Sequence, residues 1–510
     1  MLANRLSEAP HLRVLVIEAG SRDLNPMIHV PGGCGFLFGK SVNWRFHTVP
    51  QPGLDNREIW YPQGKTFGGS SSINAMIYIR GQREDYDGWA AAGCTGWSYD
   101  EVLPYFRKSE DNDRLVDEYH GANGPQPVSD QTNPHILSKS FVRSIHEWGL
   151  PYNTDFNGAS MYGAGLYQVV ARGGMRKSQG AAFLHPALKR PNVSVRTGVR
   201  AVKIVVRHGA AVGVEVVQRG RRSVVHADRE IILASGAINS PRLLMLSGIG
   251  AADELTALGI PVVHDSPNVG KHLKDHLNSN VHLALKDRIE YDGLDRFPAL
   301  LAPGMNWILP RTGPAASVIV EGGGFFPSPG ADRPDMQIHI APATVVRGGQ
   351  TRIGGHGFTI YSTFLRPESE GSVRLKLADP GDEPLIDPQY LTAAKDREMA
   401  VHQIRTIREV LALDPIASYI DHERLPGPAA RTNDELMAYI RQYASCDYHP
   451  VSTCRMGADD GSVVDPALKV RGIQALRVID SSVMPRLTSG NTMAPTMMIA
   501  EKGTDLVKQG

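Results

Sequence analysis

Short apolar runs rich in β-branched residues alternate along this chain with segments whose apolar residues recur at helical spacing. The β-type runs predict strands at Leu12–Ile17, Val193–Val206, Arg229–Ala234, Met336–Ile340, Phe358–Phe364 and Leu476–Ile479. The helical spacing predicts helices at Ser240–Met245, Asp396–Ala412, Thr432–Tyr443 and Met497–Leu506. Because strands and helices are interleaved, we expect an α/β core with a second sheet inserted into it.

The first predicted strand ends on an acid, which indicates a nucleotide site. Glu18 directly follows the apolar run of residues 12–17. In dinucleotide-binding units such an acid lies about 20 residues after a GxGxxG turn and binds the ribose hydroxyls. Counting back from Glu18 places that turn just before Met1, and residues 1–8 resemble the end of a helix. We therefore expect an N-terminally truncated chain that binds its dinucleotide weakly or not at all.

Composition narrows the class of protein. A chain of 510 residues predicts two or three domains, and 21% charged with 42% hydrophobic residues is typical of a soluble globular protein. A net charge of +1, without a clustered basic face, argues against a nucleic-acid partner. No apolar run is long enough to predict a transmembrane segment. The 4 cysteines form no CxxC pair, so we expect neither a disulfide framework nor a metal site. We expect a cytoplasmic location, because a reducing compartment fits this cysteine usage. Peripheral contact with a membrane stays an open alternative.

Residues 64–76, GKTFGGSSSINAM, form a glycine- and serine-rich turn. Gly68 and Gly69 can adopt positive φ and leave space for a ligand. Ser70 to Ser72 can cap a following apolar helix, whose free amide groups suit a phosphate. An ordinary helix cap with a flexible lead-in is the alternative interpretation of this segment taken alone.

Residues 236–250, GAINSPRLLMLSGIG, follow a predicted strand and have the pattern of a capped helix. Ser240 is a good N-cap and Pro241 a good first helical residue. Gly248 is a suitable stop signal. Alone, this segment predicts a strand–helix unit and no particular chemistry.

His449 is the strongest catalytic candidate. It lies in YHPVSTCRMG, where Pro450 and a turn of small residues fix the backbone. An ordinary imidazole pKa of about 6.5 makes histidine a suitable proton acceptor at neutral pH. A lone histidine is, however, more often structural than catalytic.

Together these segments resemble the glucose-methanol-choline (GMC) flavin oxidoreductases. Residues 64–81 are similar to the first family signature, GKxxGGSSxINxMxYxRG, and residues 236–250 to the second, GAxxSPxLLxxSGIG. Residues 268–276, 365–375 and 387–391 also resemble family segments. Two specific signatures in the right order make a chance resemblance very improbable.

The resemblance implies a discontinuous Rossmann-like FAD-binding domain whose first strand and GxGxxG turn are missing. It implies a second, substrate-binding domain with a mostly antiparallel sheet and flanking helices. We expect the FAD-binding domain at residues 1–132, 190–276 and 444–510. The substrate-binding domain is expected at residues 133–189 and 277–443.

The resemblance also implies roles for individual residues. His449 matches the family's active-site histidine, and Asn491 the second catalytic position, where an amide can donate to the developing alkoxide. Glu18 is expected at the adenosine ribose, Val202 at adenine through its backbone, and Asp480 near the ribityl and phosphate region. The other expected cofactor contacts are Gly68, Gly69, Ser70, Asn74, Ala75 and Met493.

The implied reaction is oxidation of a primary alcohol to an aldehyde, with His449 taking the hydroxyl proton and flavin N5 the hydride. The His/Asn combination is more similar to the choline and aliphatic-alcohol branch than to the sugar oxidases. Ile73 stands where some relatives carry a histidine bonded to the flavin, so FAD is expected to be noncovalent. Met493, Ser452 and Gln63 replace a common Asn, Gly and Arg.

Several alternatives remain open. The substrate is expected to be a small alcohol, and the electron acceptor a quinone, dioxygen or a dye. Some relatives cleave cyanohydrins, so hydroxynitrile-lyase activity is one alternative function. A flavin-free, non-catalytic remnant is the other.

Overall fold

The computed structural model describes residues 1–294, 296–349, 351 and 353–510. The α-helices are α1 Leu2–Leu6, α2 Cys34–Leu37, α3 Arg83–Ala91, α4 Tyr99–Ser109, α5 Ile136–Glu147, α6 His185–Ala187, α7 Gly236–Leu246, α8 Ala252–Ala257, α9 Leu301–Ile308, α10 Ala394–Leu411, α11 Ile416–Tyr419, α12 Asn433–Tyr443 and α13 Met493–Gln509. The strands are β1 Val14–Glu18, β2 Phe46–His47, β3 Trp60–Tyr61, β4 Glu110–Asn112, β5 Gln126–Val128, β6 Gly163–Leu166, β7 Ala171–Arg172, β8 Met175–Arg176, β9 Val193–Thr197, β10 Arg200–Arg207, β11 Ala210–Gln218, β12 Arg221–His226, β13 Ile231–Leu233, β14 Ile249–Gly250, β15 His264–Asp265, β16 Leu277–Leu285, β17 Gly322–Phe326, β18 Met336–Ala341, β19 Gly357–Phe364, β20 Ser372–Arg374, β21 Leu385–Asp387, β22 Ile420–Leu425, β23 Ser445–Cys446 and β24 Leu476–Val478.

The largest sheet is antiparallel and has seven strands in the order β22-β16-β19-β18-β17-β6, with β23 also paired to β16. Its register aligns Val281 with Ile360, and Ile360 with Ile340. These residues belong to one apolar cluster with Phe141 of α5 and Ile404 of α10. Helices α5 and α10 therefore cover one face of the sheet, which confirms the predicted antiparallel sheet with flanking helices.

The opposite face of this sheet is polar. Because side chains alternate along a strand, residues three positions from the apolar row point the other way. One such cross-strand row is Asn278–Thr363–Gln337, and the next is Asn280–Tyr361–His339. These two rows, here called the polar rows, are nevertheless buried.

The parallel strands form separate two-stranded pairs, including β4 with β5 and β14 with β15. Strand β1 pairs with β9, and β13 pairs with β24. Helices α7 and α13 pack with the strand β24 region in a second apolar cluster. The run predicted as one strand at 193–206 is two strands, because the chain turns at Gly198 with φ +64.

Two local predictions were wrong. The glycine- and serine-rich turn leads only into a short 3₁₀ segment, Gly69–Ser72, because the serine hydroxyls bond back to preceding carbonyls. Ser71 Oγ donates to Gly68 O at 2.7 Å and Ser72 Oγ to Phe67 O at 2.6 Å, a pattern that competes with helix formation.

Helix α7 begins at Gly236, earlier than predicted, and contains Pro241. Ser240 is therefore not its N-cap. Its hydroxyl accepts a hydrogen bond from Ser235 N at 3.1 Å and donates to Asp480 at 2.6 Å. The true start of the helix thus depends on a carboxylate far away in the sequence.

Candidate active site

A buried carboxylate positions two histidines. Asp275 Oδ1 accepts hydrogen bonds from the backbone N–H groups of His449, at 2.7 Å, and His276, at 2.8 Å. Its other oxygen accepts from the hydroxyls of Tyr61, at 2.5 Å, and Tyr390, at 2.8 Å. Burial raises the pKa of Asp275, although these donors oppose the shift. The backbone of His449 is therefore held from segments on both sides of the site.

A chain of hydrogen bonds passes through both imidazoles. His276 Nε2 lies 3.1 Å from Leu365 O, His276 Nδ1 lies 3.0 Å from His449 Nδ1, and His449 Nε2 lies 3.1 Å from Asn491 Nδ2. A carbonyl only accepts, so we assign the proton of His276 to Nε2. His276 Nδ1 then accepts from the Nδ1–H of His449. This assignment leaves a lone pair on His449 Nε2, the nitrogen beside Asn491.

The electrostatic environment keeps these rings neutral. Burial, reinforced by the neighbouring His276 and His339, lowers the pKa of His449 well below its ordinary value. Burial also lowers the pKa of His276 and of His339 to about 4. At neutral pH His449 is thus uncharged, with a free lone pair on one ring nitrogen.

Asn491 reaches the site from the loop before α13. The preceding Gly490 has φ +102, and a side chain there would collide with Ile79 and reach Phe325 of β17. Asn491 Oδ1 is buried and has no hydrogen-bond partner among the described residues. The two residues predicted as catalytic are therefore brought together, with one amide oxygen left for a ligand.

The expected cofactor contacts of the first and last motifs also meet. Asn74 Nδ2 donates to the sulfur of Met493 at 3.2 Å, and Asn74 Oδ1 accepts from Arg176 Nη1 at 2.8 Å. Ala75 follows Asn74 and is half-buried. Gly68 and Gly69 have φ +85 and +55, the left-handed backbone expected of this turn. Ser70 is exposed.

Asp480 caps helix α7 from the end of strand β24. Its Oδ2 accepts from Gly236 N at 2.8 Å, besides the hydroxyl of Ser240, and its Oδ1 accepts from Ser482 N at 2.9 Å. Both oxygens are thus engaged within the protein. A cofactor contact by Asp480 would be an additional bond.

Glu18 and Val202 lie on neighbouring strands, β1 and β10. Glu18 Oε1 accepts from Gly20 N at 2.7 Å, and burial raises the pKa of this carboxyl to about 7. The pairing of β10 with β11 shifts register between Ala201 and Lys203, so the backbone of Val202 lies at an irregularity. The nucleoside contacts expected of both residues stay predictions.

Sequence reasoning assigned no role to Arg176, Asp275 or His276. Arg176 is 1% exposed, and only its Nη1 has partners, Asn74 Oδ1 and Ser71 O. Its Nε and Nη2 have no hydrogen-bond partner among the residues described. A buried guanidinium with unpaired donors beside the glycine- and serine-rich turn fits an electron-rich cofactor. Only the Asp-His dipeptide at 275–276, inside a family-like segment, could have pointed to the other two.

Comparison with known proteins decides the family. The model of the GMC oxidoreductase N-terminal region matches residues 13–278, and that of the C-terminal region matches residues 367–500. The chain belongs to the GMC oxidoreductase family. Membership confirms the predictions of an FAD-dependent oxidoreductase of the alcohol dehydrogenase or oxidase type, and of its fold.

Named relatives of this GMC oxidoreductase agree with that class. It is 44% identical to an alcohol dehydrogenase [acceptor] of Pseudomonas putida, covering 99% of this chain and 93% of the relative. It is 39% identical to the mitochondrial choline dehydrogenase of Mus musculus, covering 100% and 87%. The crystal structure of pyridoxine 4-oxidase from Mesorbium loti superposes with a TM-score of 0.91 at 31% identity, covering 100% of this chain and 97% of that one.

Proposed function

We propose that this GMC oxidoreductase oxidises a primary alcohol to an aldehyde, with His449 as the base. The observation that carries the proposal is the neutral His449 ring, whose Nε2 lone pair faces the Asn491 amide at 3.1 Å. Bound FAD supplies the hydride acceptor for this chemistry. The names of the alcohol and choline dehydrogenase relatives support an alcohol as the substrate.

Each residue then has one task. His449 Nε2 takes the hydroxyl proton, and the resulting imidazolium keeps its Nδ1–H bond to His276. The Asn491 amide turns from His449 to the substrate oxygen and stabilises its developing charge. A positioned base of this kind typically contributes about 10²–10⁴-fold to the rate.

The cofactor site is proposed from the contacts described above. Gly68, Gly69, Ser70, Asn74, Ala75 and Met493 would line the flavin region, with Glu18, Val202 and Asp480 toward the nucleotide portion. We add Arg176, whose two unpaired nitrogens lie beside this turn. Ile73 is buried and has no nucleophile, which supports noncovalent FAD. The domain boundaries given under Sequence analysis are part of this proposal.

The role of Arg176 is testable by cofactor retention. Arg176→Met should lower the FAD bound per protein, whereas Arg207→Met, at an exposed position of β10, should not. Equal FAD content in the two variants would contradict this assignment.

The catalytic proposal is tested by anaerobic reduction of bound flavin with a primary alcohol. His449→Gln should slow reduction by at least about 10²-fold. Asn491→Ala should slow it by about 10²–10³-fold, the range typical of one donor to a developing oxyanion. His422→Ala alters an exposed histidine and should have no effect. Flavin that no alcohol reduces, or a His449→Gln variant as fast as the parent, would refute the proposal.

We also propose peripheral contact with an anionic bilayer, through helix α9 and its flanks. Phe297 is 81% exposed and Leu309 is 79% exposed, and Met305 and Ile308 between them are also exposed. Large exposed apolar side chains grouped on one short segment favour an interaction site, and the exposed Arg296 suits anionic headgroups. Among the residues described, no helix has both the length and the apolar run that crossing a bilayer requires.

Flotation with phosphatidylglycerol vesicles tests this contact. The parent should float with the vesicles, and a Met305→Ser/Ile308→Ser double variant should remain in the dense fraction. Failure of the parent to float would remove the proposal.

A further inference from the structure

The polar rows of the large sheet lie next to the catalytic residues. Asp447 N donates to His276 O at 2.9 Å. The Asp447 carboxylate accepts from Asn278 Nδ2 and from Thr363 Oγ1, each at 2.5 Å, and so joins the first row to the histidine pair. At the other end of the row, Phe325 pairs with Gln337.

Phe325 also lies beside the loop that carries Asn491. The ring of Phe325 is near Gly490, the residue that precedes Asn491. His339, in the second row, is close enough to contribute to the lowered pKa of His449. The polar rows therefore extend from the His276–His449 pair toward the loop that carries Asn491.

Several polar atoms of the polar rows and of the adjoining loop are unpaired. Gln337 is 1% exposed and His339 is 8% exposed, yet neither Gln337 Nε2 nor His339 Nδ1 makes a hydrogen bond of good geometry among the described residues, although the Gln337 amide lies close to the Tyr167 hydroxyl. Asn491 Oδ1 is a third such atom. Buried polar groups are nearly always hydrogen-bonded, so a cluster of exceptions at a ligand site indicates a polar ligand.

The chemistry of these atoms restricts the ligand. Gln337 Nε2 donates, and the neutral imidazole of His339 can donate or accept at Nδ1. The carboxylate bonded to the first row, Asp447, already accepts one hydrogen bond on each oxygen. No Lys or Arg side chain bonds to the residues of the polar rows in the described part of the chain, and both Asp447 oxygens are engaged. A neutral oxygen that both accepts and donates therefore suits Gln337 and His339.

We propose that Gln337 and His339 bind a second hydroxyl of the substrate, an inference that rests on the proposed oxidation of an alcohol. The preferred substrates are then neutral alcohols that carry another hydroxyl near the reacting one. Alkanols lack a group to pair with these atoms. A quaternary ammonium alcohol would bring a cation against the amide donor of Gln337.

Matched substrate series test this inference in the FAD-loaded protein. The α,ω-diols from 1,2-ethanediol to 1,5-pentanediol are compared with n-alkanols of the same number of heavy atoms and with choline, by anaerobic flavin reduction. A diol has two equivalent reacting hydroxyls, so its kcat/KM is first divided by two. The kcat/KM of the best diol should then exceed that of the n-alkanol with the same number of heavy atoms by about tenfold or more.

Variants then locate the preference. Gln337→Leu and His339→Phe should each reduce the diol-to-alkanol ratio by about tenfold. The ratio is the readout because any change in the basicity of His449 on removal of His339 affects both substrates and cancels. His339→Gln, which restores a polar group, should recover part of the ratio. Ser362→Ala is the matched control, because Ser362 lies on β19 beside Thr363 but on the opposite face. FAD content and melting temperature identify any variant that fails to fold.

The outcomes separate the two proposals. If alkanols or choline are preferred, or if neither variant changes the ratio while alcohols still reduce the flavin, the second-hydroxyl site is wrong and alcohol oxidation stands. If no alcohol reduces the flavin, alcohol oxidation itself fails, and the site fails with it.

Discussion

Substitution of His276 tests whether this residue determines which ring nitrogen of His449 carries the proton. Replacing His276 by Phe removes the only acceptor described for His449 Nδ1, the nitrogen 3.0 Å away. His449 could then carry its proton on Nε2, the nitrogen that must be free to accept the substrate proton. Replacement by Gln preserves a route, because its side chain can accept from His449 and donate to Leu365 O.

The size of the effect follows from the charge that forms. When His449 becomes an imidazolium, its bond to His276 becomes charge-assisted, and such a bond contributes about 1.5–3 kcal/mol. Since each 1.36 kcal/mol changes a rate tenfold, His276→Phe should slow flavin reduction by about 10- to 150-fold. His276→Gln should lie within about tenfold of the parent. The saturating rate should fall while the substrate dependence stays nearly unchanged, because the bond strengthens only as the proton moves.

Stopped-flow reduction of the bound flavin under nitrogen measures both quantities. His282→Phe is the matched control. Like His276, this histidine is buried and has its pKa lowered to about 4, but it lies within β16 and its side-chain partner is Thr359. A His276→Phe variant that retains FAD and reduces it at the parental rate would refute the tautomer assignment. So would a His276→Gln variant as slow as His276→Phe.

Three further predictions concern stability and pH. Burial raises the pKa of Asp447 to about 7, so the free energy of unfolding of the parent should fall by up to about 4 kcal/mol as pH rises from about 4 to 7. The melting temperature of Asp447→Asn relative to the parent should increase over that range and then level off. His339 has its pKa lowered to about 4 and remains neutral in the folded protein, so the free energy of unfolding of the parent should fall by up to about 3 kcal/mol as pH falls from about 6.5 to 4. His339→Phe should remove that part of the pH dependence in melting curves. Tyr390→Phe takes a hydroxyl from the buried Asp275 and should cost about 1–3 kcal/mol in urea unfolding, with no cost indicating that the carboxylate finds another donor.

Long, strongly patterned segments were predictable from sequence. Strand β19 and helix α10 are regular repeats of apolar residues, and their bounds differ from the predicted ones by no more than two residues. Helix α13 starts at Met493, four residues before the predicted Met497, because proline is compatible with a first helical turn and Pro495 lies in it. Helix ends set by side chains elsewhere, such as the start of α7 at Asp480, could not be read from a local pattern.

The site was predictable only in part, for a related reason. His449 and Asn491 lie in motifs that a single stretch of sequence displays. Asp275 acts through contacts with Tyr61 and Tyr390, which are far from it in the chain. The polar rows were also not predicted from the sequence, because their residues alternate with the apolar ones that predicted the strands. Cross-strand register, which sequence does not give, determines which polar residues become neighbours.

The carboxylate of Asp275 accepts hydrogen bonds from Tyr61 in the first hundred residues, Tyr390 in the fourth hundred and His449 in the fifth. No fragment of the chain contains this arrangement, so each contributing segment must dock before the imidazole is held in place. Catalytic competence should consequently be the last property to return on refolding, after secondary structure. Homologous recombination that exchanges the segment of Tyr61 or of Tyr390 would have to bring a compatible hydroxyl with it.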